Sequence, residues 1–164
     1  MISINMQAFL NTIAFSELGN LASRPDRGAS MIVGSRPGHE IKLHDYSDHP
    51  RVTVHINGTI WSTAAGCFQI KSDIYDHYRK LLNLPDFSYD SQRAIAIHLI
   101  NEQGGAKFVE EGRIDLAMQK VNNIWVSLPG SSHTDQHQNK EEYLLAYYKV
   151  QVKDLEEMAR GEKG

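Results

Sequence analysis

Arg51-Val52-Thr53-Val54-His55-Ile56-Asn57-Gly58 is the stretch whose reading decides the fold class. Val52, Thr53, Val54 and Ile56 are β-branched, and such side chains favour extended backbone. Asn57-Gly58 then supplies a strong turn signal. Residues 51–56 therefore read as one strand of a small sheet, and Met31-Ile32-Val33 reads as another. Between them Gly34, Pro37, Gly38 and Pro50 mark a long irregular connection, the kind of loop that carries function.

Outward from this region the chain is helical. In residues 5–17, Met6, Phe9, Leu10, Ile13 and Ala14 recur at spacings of three and four, which predicts an amphipathic helix. Gly19 and Asn20 are its stop signals, and residues 20–30 have no period and read as loop. From residue 71, Ile74, Tyr75, Tyr78, Leu81 and Leu82 share one face of a second helix. A third carries Ala94 to Ile100, opens near Ser88 or Asp90 and stops at Gly104-Gly105. Short helices follow around 106–111 and 113–121, then a polar loop opening at Pro129-Gly130. A last helix of about 20 residues starts near Asn139, and its dense apolar positions predict that it docks on the domain. The pattern is a mostly helical α+β domain with a small early sheet.

Composition narrows the function. At 164 residues the chain suits one domain, large enough for a core without staples. Lys plus Arg total 17 against 20 Asp plus Glu, so no broad basic field points to nucleic acid. Cys67 is the sole cysteine, so no intramolecular disulfide is needed. The first residues lack a basic n-region, and no run approaches the ~18 apolar residues of a membrane span. Synthesis in a cytoplasm is expected, with another agent letting the protein out.

Several side chains could carry chemistry. Glu17 ends the first helix on its apolar side, where partial desolvation raises a carboxyl pKa and suits a general acid. A surface Glu near a helix end is the plainer alternative. Asp26 could pair with Glu17 across a loop, as glycosidases require, or serve as a turn residue in Arg-Pro-Asp-Arg-Gly. Asp45 and Asp48 could be the second acid or could cap their own loop. His39, His44, His49 and His55 lie near these acids, and neutral imidazoles with a carboxylate can take zinc. No recognised ligand spacing is present, and His133 and His137 sit in a polar loop. Solvated or loop-bonded histidines are the simpler reading, so no metal and no cofactor is expected. Cys67 reads as a small buried side chain rather than a nucleophile. In Ser62-Thr63-Ala64-Ala65-Gly66-Cys67-Phe68-Gln69-Ile70 small residues let the backbone approach a ligand, and Gln69 offers a donor and an acceptor to sugar groups. The same run could simply cap the helix that follows.

Five blocks, in order along the chain, resemble the lambda-type endolysin (lysozyme) family. They are Ala8-Phe9-Leu10 with Ala14-Phe15-Ser16-Glu17, Val33-Gly34, Asp45-Tyr46-Ser47-Asp48-His49-Pro50-Arg51, Ser62 to Gln69, and Asn123-Ile124-Trp125-Val126-Ser127-Leu128-Pro129-Gly130. The Gly-x-x-Gln at 66–69 also resembles a cleft motif of other lytic transglycosylases. The resemblance implies a single lysozyme-like domain over residues 1–164, with a sheet-bearing lobe at 31–58, a helical remainder and a cleft between lobes. It implies a lytic transglycosylase that cuts peptidoglycan between N-acetylmuramic acid and N-acetylglucosamine and lyses a bacterial host. Glu17 would be the catalytic acid, with a hydrolytic muramidase using Glu17 and Asp26, or a zinc amidase or peptidase, as alternatives. Ser62 and Gln69 would meet sugar, while Tyr46 and Gln136 would either touch it or brace the cleft. A monomer is expected, released to the wall after a phage holin opens the membrane, without direct contact between the two. Cys67 and Phe68 replace the family's Arg and Tyr, and Ser131-Ser132-His133 replaces its Ala-Gly-Tyr, so far subsites and lid behaviour are expected to differ.

Overall fold

The apolar spacing of the N-terminal segment does produce a helix, α1, over Ile4–Leu18. It is buried on more sides than the three-four spacing predicts, because Gln7, Ala8 and Thr12 are inside along with Phe9, Leu10 and Ile13. The Thr12 hydroxyl meets the Ala8 carbonyl at 2.8 Å, so this polar side chain enters the core satisfied. The structure, a computed structural model, describes residues 1–133 and 137–161. The order continues with a 3-10 turn at Gly19–Ser23, strands β1 (Val54–Asn57) and β2 (Ile60–Ser62), and helices α2 (Ser72–Leu82), α3 (Tyr89–Glu102), α4 (Ala106–Glu110), α5 (Ile114–Val121) and α6 (Glu141–Ala159). The fold is thus mostly helical with one small antiparallel sheet.

The chain divides into two compact units. One contains Met1–Ser16 and Ile97–Gly164, the other Glu17–Ala96. In the first, Phe9, Leu10, Ile13, Ile100, Val109, Met118, Trp125 and Leu128 form the core. Helix α6 docks there through buried Leu144 and Tyr148, and Tyr147 stacks on Phe15 with ring centroids 4.2 Å apart. Asn139 donates to the Ser16 carbonyl at 3.0 Å, satisfying an acceptor at the end of α1 that the helix leaves unpaired.

In the second unit the sheet is smaller than the β-branched runs predict. β1 starts at Val54 rather than residue 51, because Arg51 has φ +54°, a left-handed conformation that breaks extension. The Arg51 guanidinium is gripped by Asp48 and Asp76, which holds it there. β1 pairs with β2, an unforeseen strand, through Val54↔Ser62, His55↔Trp61 and Asn57↔Ile60, with a bulge between His55 and Asn57. Met31 and Ile32 form only isolated bridges, to Lys42 and Ala65. Gly34, at φ +91°, turns the chain before a ladder can grow. Part of the expected loop at 20–30 is the 3-10 turn. On α2 only Tyr75 and Tyr78 are fully buried, while Ile74 and Leu81 of the expected apolar face are exposed.

Candidate active site

Glu17 occupies the last turn of α1, half-buried, one residue before its end. Its neighbour Leu18 lies against Gly28, where an added Cβ would come within 2.4 Å of the leucine Cδ1. Gly28 also has φ +84°, a left-handed backbone conformation that favours glycine. The loop carrying Asp26 therefore folds back on the end of the helix that carries Glu17.

Asp26 itself is held by its own loop. It accepts the Gly28 N–H at 3.0 Å and the Ser30 N–H at 3.3 Å, and it also takes the Ser30 hydroxyl. Burial pushes its pKa up, but the Ser30 and Gly28 hydrogen bonds and the Lys42 charge outweigh burial and hold it below 3.8. Asp26 is the turn residue that the Arg-Pro-Asp-Arg-Gly pattern allowed, and it is ionised. Half-buried Tyr46 faces Ser30 and Asp26, and burial raises its phenol pKa. Asp26, Ser30 and Tyr46 form one polar cluster.

The segment 62–70 is built around a residue the sequence did not single out. Gln92, fully buried on α3, accepts the Cys67 N–H at 2.9 Å and donates to the Ala29 carbonyl at 3.1 Å and the Phe87 carbonyl at 2.8 Å. Gly66 admits the close approach of Gln92 rather than of a ligand. Gln69, at φ +48°, turns its amide nitrogen inward to the Gly66 carbonyl at 2.9 Å and the Met31 carbonyl at 3.3 Å. Its side-chain oxygen is the atom left to accept from outside. Ser62 ends β2 half-buried, and its hydroxyl accepts the Ala64 N–H at 3.1 Å. Thr63 caps α2 by accepting the Ser72 N–H at 3.0 Å, so the capping alternative for this run is realised. Gln136 lies outside the described residues.

Cys67, His49, His55, Asp45 and Asp48 serve structure. Cys67 is buried, and burial with the nearby Asp26 charge pushes its thiol pKa up to about 12, which leaves it protonated and unreactive. Phe68 is buried beside it, so neither side chain faces outward. His49 is a core residue, 2% exposed, rather than a solvated one. Its Nε2 lies 2.8 Å from the Ile70 carbonyl and its Nδ1 accepts the Arg51 N–H at 3.0 Å, which fixes the neutral tautomer. His55 bonds the Gly58 carbonyl within its hairpin. Asp45 and Asp48 cap their loop, accepting the Ser47 and His49 N–H groups at 2.8 Å. Ser47 and Arg51, respectively, hold their pKa values down. Among the described residues no three His, Cys, Asp or Glu side chains converge to hold a metal ion.

Sequence reasoning missed Gln92 and Ser30. A glutamine on a helix reads as solvent-facing, and nothing local reports that its helix faces a glycine turn far back in the chain. Ser30 carried a faint signal, since a serine four residues after an Asp-Arg-Gly turn can close an Asx loop.

With this geometry in view, the comparisons with known proteins are decisive. The Endolysin family model matches residues 7–154. The endolysin of Escherichia phage lambda is 40% identical over 153 residues, covering 91% of this chain and 93% of that protein. The chain belongs to the endolysin family. The endolysin of Escherichia phage P2 is 37% identical over 149 residues, 87% of this chain and 90% of that one. Bacteriophage lambda lysozyme, solved in complex with a chitohexasaccharide, superposes with a TM-score of 0.83 at 38% identity, covering 92% of this endolysin and 96% of that chain. A second lambda lysozyme structure gives 0.79 at the same identity and coverage. The fold of this endolysin is therefore lysozyme-like, as the five sequence blocks implied. Among its described residues no helix is long and apolar enough to cross a membrane.

Proposed function

We propose that this endolysin lyses bacteria by cutting the glycan of peptidoglycan between N-acetylmuramic acid and N-acetylglucosamine through lytic transglycosylation. Glu17, protonated, donates to the glycosidic oxygen as the C1–O bond breaks. The muramic acid C6 hydroxyl attacks C1 from within the same sugar and gives its proton to the Glu17 carboxylate. The product is a 1,6-anhydro sugar, and no water enters. A nucleophile already tethered to the substrate supplies proximity without a bound water, so one carboxyl group suffices.

The observation that carries this reading is the engagement of Asp26. Hydrolysis by a pair of acids needs a second carboxylate to activate water or form a glycosyl bond. The Asp26 oxygens are instead occupied by Gly28 and Ser30. Family membership and the sugar chain held by lambda lysozyme support glycan as the substrate. Ser62, the Gln69 oxygen and Tyr46 are the groups of this unit that we assign to sugar, Tyr46 also bracing the Asp26 loop. Gln136 is assigned with them on resemblance alone. Release to the wall follows opening of the inner membrane by a holin, and the enzyme works as a monomer.

Mass spectrometry of muropeptides released from purified cell wall tests the reaction. Products one water lighter than hydrolysis products, without new reducing ends, are expected. Ordinary reducing muramic acid means hydrolysis and overturns the mechanism. Cut peptides on intact glycan overturn the substrate assignment and return the loop histidines to consideration.

A further inference from the structure

The hairpin β1–β2 carries an aromatic pair that the reaction does not use. His55 and Trp61 stand opposite each other in the register, so both side chains lie on one face of the sheet. Their ring centroids are 4.7 Å apart. His55 is fixed by its 2.8 Å bond to the Gly58 carbonyl, which steadies the indole against it. Trp61 is nevertheless 60% exposed, on a hairpin whose Ile56 and Ile60 are exposed too. A tryptophan so placed leaves a large apolar face in water.

We propose that the His55–Trp61 pair is a sugar-stacking platform that takes an N-acetylated pyranose ring of the glycan strand, outside the catalytic step. The proposal rests on the glycan reading of the preceding subsection. Two observations select this occupant. Residues 52–62 contain no Asp, Glu, Lys or Arg, so the hairpin offers nothing for an anionic lipid surface or an acidic polymer. Its polar side chains are the hydroxyls of Thr53, Thr59 and Ser62, the Asn57 amide and the His55 imidazole, which suit the hydroxyl and acetamido rim of a sugar while the indole takes its C–H face. The platform is also continuous with the candidate site, because Trp61 precedes Ser62 and the strand runs on into the segment ending at Gln69.

The test is a titration of the full chain with chitohexaose, followed by tryptophan fluorescence and by calorimetry. The chain has two tryptophans, and Trp125 is only 2% exposed, so a sugar-induced change in emission reports Trp61. A saturable shift is expected, with Trp61→Ala raising Kd about three- to ten-fold and Trp61→Phe keeping most of the affinity. On cell wall, Trp61→Ala should raise KM and leave kcat near the wild-type value. Calorimetric binding with silent fluorescence and an unchanged Kd in Trp61→Ala overturns the platform and leaves the glycan reading standing. Concentration-dependent dimerisation abolished by Trp61→Ala also overturns it, making the hairpin a self-association face. No saccharide binding alongside normal cell-wall clearing removes the platform alone. Absence of both binding and clearing removes the glycan reading with it.

Discussion

Gly66 and Gln92 fit each other as backbone and side chain: a Cβ on Gly66 would lie 2.3 Å from the Gln92 amide oxygen. That oxygen holds the Cys67 N–H, and the amide nitrogen holds carbonyls at Ala29 and Phe87. Three stretches distant in sequence are thereby locked around one buried side chain.

Gly66→Ala should destabilise the fold by about 1–3 kcal/mol, since the buried amide cannot move aside and φ +83° disfavours any side chain. Gln92→Ala should cost about 1–3 kcal/mol for each backbone group left unpaired. The double variant should lose less than the sum, because the alanine at 92 makes room for the new methyl group. Urea titrations of all four proteins measure this, and strict additivity would remove the coupling.

Glu17→Gln should lower the rate of cell-wall clearing by about 10²–10⁴ and leave Tm nearly unchanged. Asp26→Asn should behave in the opposite way, losing stability by about 1–2 kcal/mol with product chemistry intact, because its role is in the loop. A stable, inactive Asp26→Asn would instead make Asp26 a catalyst.

The depressed pKa of Asp26 has a signed consequence. Its carboxylate is favoured in the folded state, so its contribution to stability is complete above the unfolded value near 3.8 and fades as pH falls through the lower folded pKa. Asp26→Asn should flatten this acid limb. Thermal melts between pH 2 and pH 6 compare the two proteins, and identical slopes would contradict the assignment.

His49 acts near neutrality. Burial lowers its pKa, so below the ordinary value of 6.5 the unfolded chain takes up a proton that the folded chain refuses. Its part of the stability is full above pH 6.5 and declines as pH drops toward the folded pKa. In NMR titrations the folded-state His49 ring should stay neutral where the same ring in the urea-unfolded chain has already protonated, and titration at an ordinary pKa would refute this.

Cys67 should resist alkylation. With its thiol pushed up to about 12 and its side chain buried, iodoacetamide at pH 8 should label native protein far more slowly than urea-unfolded protein. Rapid native labelling with loss of lysis would restore the nucleophile.

The chain's local chemistry alone determined all six helices, α1 to α6, because a three-four apolar spacing and glycine stops act within a few residues, though on α2 it did not foresee that Ile74 and Leu81 stay exposed. It also located Glu17 at a helix end and offered Asp26 as a turn residue, since an Asx turn closes within its own loop. Family membership was legible too, carried by blocks spread along the chain. Only tertiary structure decided that Met31 and Ile32 stop at isolated bridges, that Ile60–Ser62 becomes the partner strand, and that Gly66 exists for Gln92. Those outcomes depend on which distant groups satisfy a backbone N–H or fill a space beside it. Pairing of that kind is a property of the folded chain, and no local run of residues encodes it.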